Sequence, residues 1–170
     1  MDAQIVEVHG AAEIDARVRA LAAEISETYR AGELTVLGLG DDAFVFLADL
    51  LRALRIPVRT SFLRYDHLAR GGIQDLNFGA SIDLAGREVL LVEGVLETGV
   101  PEEYLLKQLG GRGAKSVRLC ALVDKAAARR ASVEPDWRGF ETGEEYVVGY
   151  GLGFQERWRE LPYLATFARG

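Results

Sequence analysis

Apolar runs of strand length alternate along this chain with segments whose apolar residues recur every three or four positions, and no other feature limits the fold as tightly. Residues 34–39, 58–63, 87–93 and 116–123 read as strands, and 87–93 (Arg-Glu-Val-Leu-Leu-Val-Glu) is the strongest of them. Ile14, Val18, Leu21, Ala22 and Ile25 predict an amphipathic helix that ends near Gly32. Residues 43–54 predict a second helix, with Phe44, Leu47, Leu51 and Leu54 as its apolar stripe and Asp41 or Asp42 available as N-cap. Pro101 suits the first turn of a third, which runs to about Leu109, because its missing N–H is not needed there. Buried strands separated by helices require crossover connections, so the expected fold is a single α/β domain over residues 1–170 with a mainly parallel sheet flanked by helices. Residues 64–81 hold two adjacent glycines and weak periodicity, which predicts a loop or flap. Short β-like runs at residues 146–150 and around Tyr163 complete the chain, with no internal repeat or linker.

Composition narrows the function classes. The lone cysteine, Cys120, has no internal partner for a disulfide, and its neighbours Val117, Leu119, Ala121, Leu122 and Val123 predict a packed small hydrophobe. A net charge of -6 argues against nucleic-acid or anionic-membrane binding. No apolar run approaches the ~20 residues that span a bilayer. The start, Met1-Asp2-Ala3-Gln4, lacks the basic and apolar stretches of a signal peptide, which predicts a cytoplasmic protein.

Ligands of open parallel sheets bind beyond the carboxyl ends of the strands. Two loops lie there: Gly40-Asp41-Asp42, and residues 93–99 (Glu-Gly-Val-Leu-Glu-Thr-Gly). The second has the form of a phosphate cradle, with backbone N–H groups, the Thr98 hydroxyl and a helix N-terminus able to face an anion.

Residues 89–99 (Val-Leu-Leu-Val-Glu-Gly-Val-Leu-Glu-Thr-Gly) are similar to the V-L-I-V-E-D-I-I-D-T-G block of hypoxanthine-guanine phosphoribosyltransferases. Residues 46–51, 123–125, 135–140, 147–152 and 159–163 match further blocks of that family in order, so the chain resembles it nearly end to end. The resemblance implies a type I phosphoribosyltransferase fold with a flap and hood. It implies a reaction that joins a 6-oxopurine to phosphoribosyl pyrophosphate with Mg²⁺ and releases pyrophosphate. Oxocarbenium-like character at the sugar and a polyanionic leaving group call for cations and backbone donors around them.

By the same resemblance, Lys125 would donate to the purine 6-oxo group, Tyr146 would stack on the ring, Val147 would offer backbone contacts and Leu152 would close the apolar side. Glu93, Thr98 and Gly99 would hold the ribose and 5′-phosphate, Glu97 stands at the catalytic acid/base position, and Arg159 would contact pyrophosphate. The remaining positions depart from the pattern. Gly94 replaces the second member of the acidic pair, Glu97 replaces an aspartate, and Val100-Pro101 replaces a hydroxyl residue and an N–H donor. Gly40-Asp41-Asp42 stands for the pyrophosphate loop L-K-G, Asp66-His67-Leu68 for the flap's S-S-Y, and Gly153 for a metal-binding aspartate. Asp41 and Asp42 read either as helix caps or as metal-recruiting carboxylates, and His67 either as a functional imidazole or as an exposed loop residue.

The expectation is an inactive or weakly active protein that keeps a purine base or nucleotide pocket, lacks much of the Mg²⁺ and pyrophosphate site, and needs Mg²⁺ only if it is active. Phosphoribosyl pyrophosphate is not an expected ligand, and the partner is a second copy or an active paralogue. The alternative is an active purine-salvage transferase with a metal held by Glu93, Glu97 and Asp41 or Asp42. A third reading is a structural subunit using Phe44, Phe46 and Trp158 for contacts.

Overall fold

A computed structural model of the chain describes residues 4–67, 73–78 and 83–168. Its strands are β1 (Ile5–His9), β2 (Leu34–Leu39), β3 (Val58–His67), β4 (Ile73–Phe78), β5 (Glu88–Leu96), β6 (Ser116–Asp124), β7 (Trp137–Glu141), β8 (Val147–Val148) and β9 (Leu164–Phe167). The helices are α1 (Ala11–Thr28), α2 (Phe44–Ala53) and α3 (Val100–Gly111). The main sheet runs β4-β3-β2-β5-β6-β7, parallel throughout except for β4 at its edge. A smaller antiparallel sheet, β1-β9-β8, forms a hood.

The central strands are apolar without interruption because both of their faces are covered. On one face Ile14, Leu21 and Ile25 of α1 and Phe46, Leu47 and Leu50 of α2 pack with Leu34, Val36, Leu90 and Val92. On the other, Leu105 and Leu109 of α3 pack with Leu37, Leu91 and Leu119. Each such side chain contributes about 1.5–3 kcal/mol when fully buried. Cys120 is fully buried in β6, and that burial pushes its thiol far above the ordinary range, as expected of a packed residue rather than a nucleophile.

Several expectations are corrected. Residues 64–81 are not a loop throughout: β3 continues to His67 and pairs antiparallel with β4, with Leu63 opposite Phe78 and Tyr65 opposite Leu76. An edge hairpin needs no doubly apolar run, so periodicity gave no signal. Leu68 and the rest of the flap segment at 68–72 and 79–82 lie outside the described residues. β1 and β7 were not predicted. β1 is short and largely exposed, and it pairs Ile5, Val6 and Glu7 with Phe167, Thr166 and Ala165 of β9. The buried stripe of α2 is Phe46, Leu47 and Leu50, while Phe44 is exposed. Neither Asp41 nor Asp42 caps α2: its N-cap is Ala43, with no side-chain capping bond.

Candidate functional site

β2, β5 and β6 run parallel and end at one edge of the sheet, which brings together the segments after Leu39, Leu96 and Asp124. The hood residues that follow β8 fold onto that edge, where Gly151 approaches Val45 and the backbone of Asp42. The site therefore has one half built on β6 and the hood, and another built on the β2 and β5 loops.

The first half is assembled around Lys125. Its N–H bonds the Leu96 carbonyl at 2.9 Å, which fixes the residue where β6 ends. Its side chain is only 5% exposed, yet the nearest carboxylate oxygen, on Glu97, is 3.9 Å away. The ammonium lies 5.6 Å from the Tyr146 ring centroid, within cation–π range. Tyr146 meets Phe154 edge-on at 5.0 Å and donates its hydroxyl to the Gly153 carbonyl at 3.2 Å, while about half of its surface stays open. Burial, then Asp42, push its phenol upward, and Arg159 opposes them, so these charges act on the same ring. Val147 and Leu152 are both buried, Val147 in β8 and Leu152 against Gly94.

The cradle loop expected at residues 93–99 is confined to 97–99, because β5 continues to Leu96; there Gly99 takes a left-handed conformation (φ 75) as the N-cap of α3, a backbone state that favours glycine. Thr98 Oγ1 accepts from the Val100 N–H at 3.4 Å, and the Thr98 carbonyl accepts from the N–H groups of Arg130 and Ala131 at 2.8 and 3.1 Å. Arg129 clamps this loop from the β6 side. Its Nη1 donates to the Glu97 carbonyl at 2.5 Å, and its Nη2 pairs with Asp124, which is wholly buried. Arg138 Nη1 approaches the other Asp124 oxygen at 3.2 Å. Sequence reasoning missed Arg129 and Asp124 as a unit. The available signal was an aspartate closing a buried strand, which needs a cation nearby.

The second half is closed by the chain itself. Arg159 pairs with Asp42 across the cleft and donates to the Gly151 carbonyl at 2.6 Å. The hood segment delivers Arg159 through left-handed residues Gln155, Glu156 and Trp158 (φ 49, 64 and 69). A Cβ on Gly153 would stand 2.8 Å from Arg159 Cγ and Nε. A Cβ on Gly94 would stand 2.7 Å from Leu152 Cδ2 and 2.9 Å from the Asp42 carbonyl oxygen. Glu93 does not reach the cleft: it is buried on the α3 face beside Glu102, also buried, and its Oε1 has no hydrogen-bond partner. Burial and then Glu102 hold the Glu93 carboxyl well above its usual range, which favours the neutral acid.

The phosphoribosyl transferase domain family matches residues 7–155. The hypoxanthine phosphoribosyltransferase of Salmonella typhimurium is 33% identical over 90% of this chain and 89% of its own length. The chain belongs to the hypoxanthine-guanine phosphoribosyltransferase family. The hypoxanthine-guanine phosphoribosyltransferase of Mycobacterium avium is 33% identical over 92% of this chain and 82% of its own length. Among solved structures, a point mutant of the Trypanosoma cruzi hypoxanthine phosphoribosyltransferase, in a ternary complex with substrates, superposes with a TM-score of 0.91 at 25% identity, covering 98% of this chain and 96% of that one. The Staphylococcus aureus enzyme superposes with a TM-score of 0.89 at 26% identity, covering 98% and 94%.

Enzymes of this hypoxanthine-guanine family depend on Mg²⁺, and the residues present here do not fit such an ion. Where resemblance calls for carboxylates, Gly94 and Gly153 leave no room for a Cβ without displacing Leu152, Asp42 or Arg159. Asp42 is paired with Arg159, and Glu93 faces Glu102. The set Glu93, Glu97 and Asp41 or Asp42 is not gathered, and no group of three or more metal-ligating side chains forms among the described residues. The structure brings together Lys125, Tyr146, Glu97, Asp42 and Arg159 and leaves Glu93 apart. His67 lies at the end of β3 opposite Ile73. No helix among the described residues is long and apolar enough to cross a membrane.

Proposed function

We propose that this single-domain member of the family binds a purine base or purine nucleotide through Lys125, Tyr146, Val147 and Leu152. In this reading it transfers phosphoribosyl groups weakly or not at all, and it acts in the cytoplasm as a binding protein or as partner subunit of itself or of an active paralogue. One observation carries the reading: Lys125 is buried with its nearest carboxylate oxygen 3.9 Å away, beyond hydrogen-bond distance, while Asp42 and Arg159 fill the diphosphate half.

A buried ammonium favours a fixed acceptor, and a purine 6-oxo group on the face of Tyr146 would supply one. A charged hydrogen bond of this kind contributes about 1.5–3 kcal/mol. The half-open Tyr146 ring offers stacking area, and the β8 backbone beside Val147 offers polar groups to the edge of a base. Thr98 and Gly99, at the N-terminus of α3, suit a 5′-phosphate, although Pro101 lacks an N–H and Glu102 and Glu103 put acid into the first turn. Pyrophosphate departure has no comparable support, because Arg159 is already paired with Asp42 and a leaving diphosphate would face the Asp42 carboxylate. At ~4 Å and an effective dielectric of about 20, each such contact costs roughly 4 kcal/mol before screening.

A second reading, an active salvage transferase, has Glu97 in its favour: an open carboxylate 3.9 Å from Lys125, at the acid/base position by resemblance. The two readings separate in one assay. With Mg²⁺, phosphoribosyl pyrophosphate and hypoxanthine or guanine, nucleotide formation should run at least ~10²-fold below the Salmonella typhimurium enzyme measured alongside, the order expected of ~1 Å misplacement alone. Equal rates would establish the second reading and overturn the first.

A further inference from the structure

We propose that Asp42 is a specificity-determining residue of the cleft: as a built-in counter-anion on Arg159, it excludes pyrophosphate-bearing ligands and leaves the base and monophosphate side open. This inference rests on the reading of the cleft as a purine site, and it adds a cause for the selectivity.

The Asp42 carboxylate serves the hood rather than its own helix. It does not cap α2, whose N-cap is Ala43 without a side-chain bond. Instead its carboxylate meets Arg159 across 117 residues of sequence, joining the β2 loop to the hood. Arg159 has a second anchor in that position. Its Nη1 also donates to the Gly151 carbonyl at 2.6 Å, and its stem lies against Gly153, where a Cβ would stand 2.8 Å from Cγ. Gly153 is therefore the counterpart of the pair: without a side chain at that position, the guanidinium reaches back to Asp42. The Gly153 carbonyl that lies beside this stem accepts the Tyr146 hydroxyl at 3.2 Å, so the pair borders the base half.

A pyrophosphate that sought Arg159 would have to displace the Asp42 carboxylate and then remain beside it. Like charge at that range is repulsive, and the guanidinium would exchange one anion for another with no gain in count. A monophosphate at Thr98 and Gly99 makes no demand on Arg159 and escapes this competition.

Calorimetric titration of inorganic pyrophosphate and of inosine monophosphate tests the assignment on the whole chain, using Asp42→Asn, Arg159→Gln and the double variant beside the unmodified protein. Asp42→Asn keeps the side chain's size at a half-exposed position, and thermal melting checks that each variant is folded. Asp42→Asn should bind pyrophosphate at least about tenfold more tightly than the unmodified protein. The double variant should lose that gain, and inosine monophosphate affinity should change by no more than about twofold in Asp42→Asn. No gain in Asp42→Asn, or a gain that survives in the double variant, would overturn the proposal. If the unmodified protein does not bind inosine monophosphate, the purine reading fails, while the pyrophosphate comparison still decides the role of Asp42.

Discussion

The two halves of the cleft share one sheet edge and differ in what fills them. Around Lys125 and Tyr146, a buried cation and an open aromatic face await an acceptor. Around Arg159, the cation is answered by Asp42 and the intervening space is taken by Leu152 and the Arg159 stem. Beneath both halves the sheet is packed on its two faces, by Leu90 and Val92 on one and by Leu37 and Leu91 on the other. A loop can therefore exchange ligand atoms for self-contacts without cost to the scaffold, which is why family membership and activity are separate statements.

The largest effect that would break this contrast is expected at Lys125. Lys125→Ala should weaken inosine monophosphate binding by roughly 10–100-fold in calorimetry, the value of a charged hydrogen bond. A change below about twofold would remove the base half from the account. Gly94→Asp probes the other half. Restoring the acidic residue by resemblance should not restore transfer, because the new Cβ must push on Leu152 and the Asp42 carbonyl. It should lower stability by about 1–3 kcal/mol in denaturant unfolding, as overpacking does. A stable Gly94→Asp protein with a large rise in nucleotide formation would show that the space is open after all.

The smallest effect is a pH dependence from Glu93. Its folded-state value is raised above the ordinary 4.5 by burial and by Glu102. Above that ordinary value the unfolded chain releases a proton that the folded chain keeps, so this group's contribution is full at low pH and is lost as pH rises through the raised value. Glu93→Gln stays neutral, so its melting temperature relative to the unmodified protein should climb between pH 4 and 8. Parallel melting curves across that range would mean that Glu93 is not buried as a neutral acid.

Residues 34–39, 87–93 and 116–123 were legible as strands because burial on both faces leaves an uninterrupted apolar signature. β1 and β4 were not, since one is short and largely exposed and the other lies at a sheet edge, and both are defined by their pairing partners. In the cleft, Lys125 and Tyr146 were reachable only through resemblance. Gly94 and Gly153 read in sequence as missing ligands; in space they are the clearances that let Leu152, Asp42 and Arg159 close in, and such distant contacts leave no local pattern. The direction of Glu93 was available in principle. Val89, Leu91 and Glu93 alternate onto one face of β5, and the packing of Val89 and Leu91 with α3 makes that face the one turned from the hood.

The most direct measurement is a paired titration of the unmodified protein with inosine monophosphate and with phosphoribosyl pyrophosphate plus Mg²⁺ under one set of conditions. The account predicts saturable binding of the nucleotide and binding of the magnesium diphosphate sugar at least ~100-fold weaker. Equal affinity for the two would contradict it.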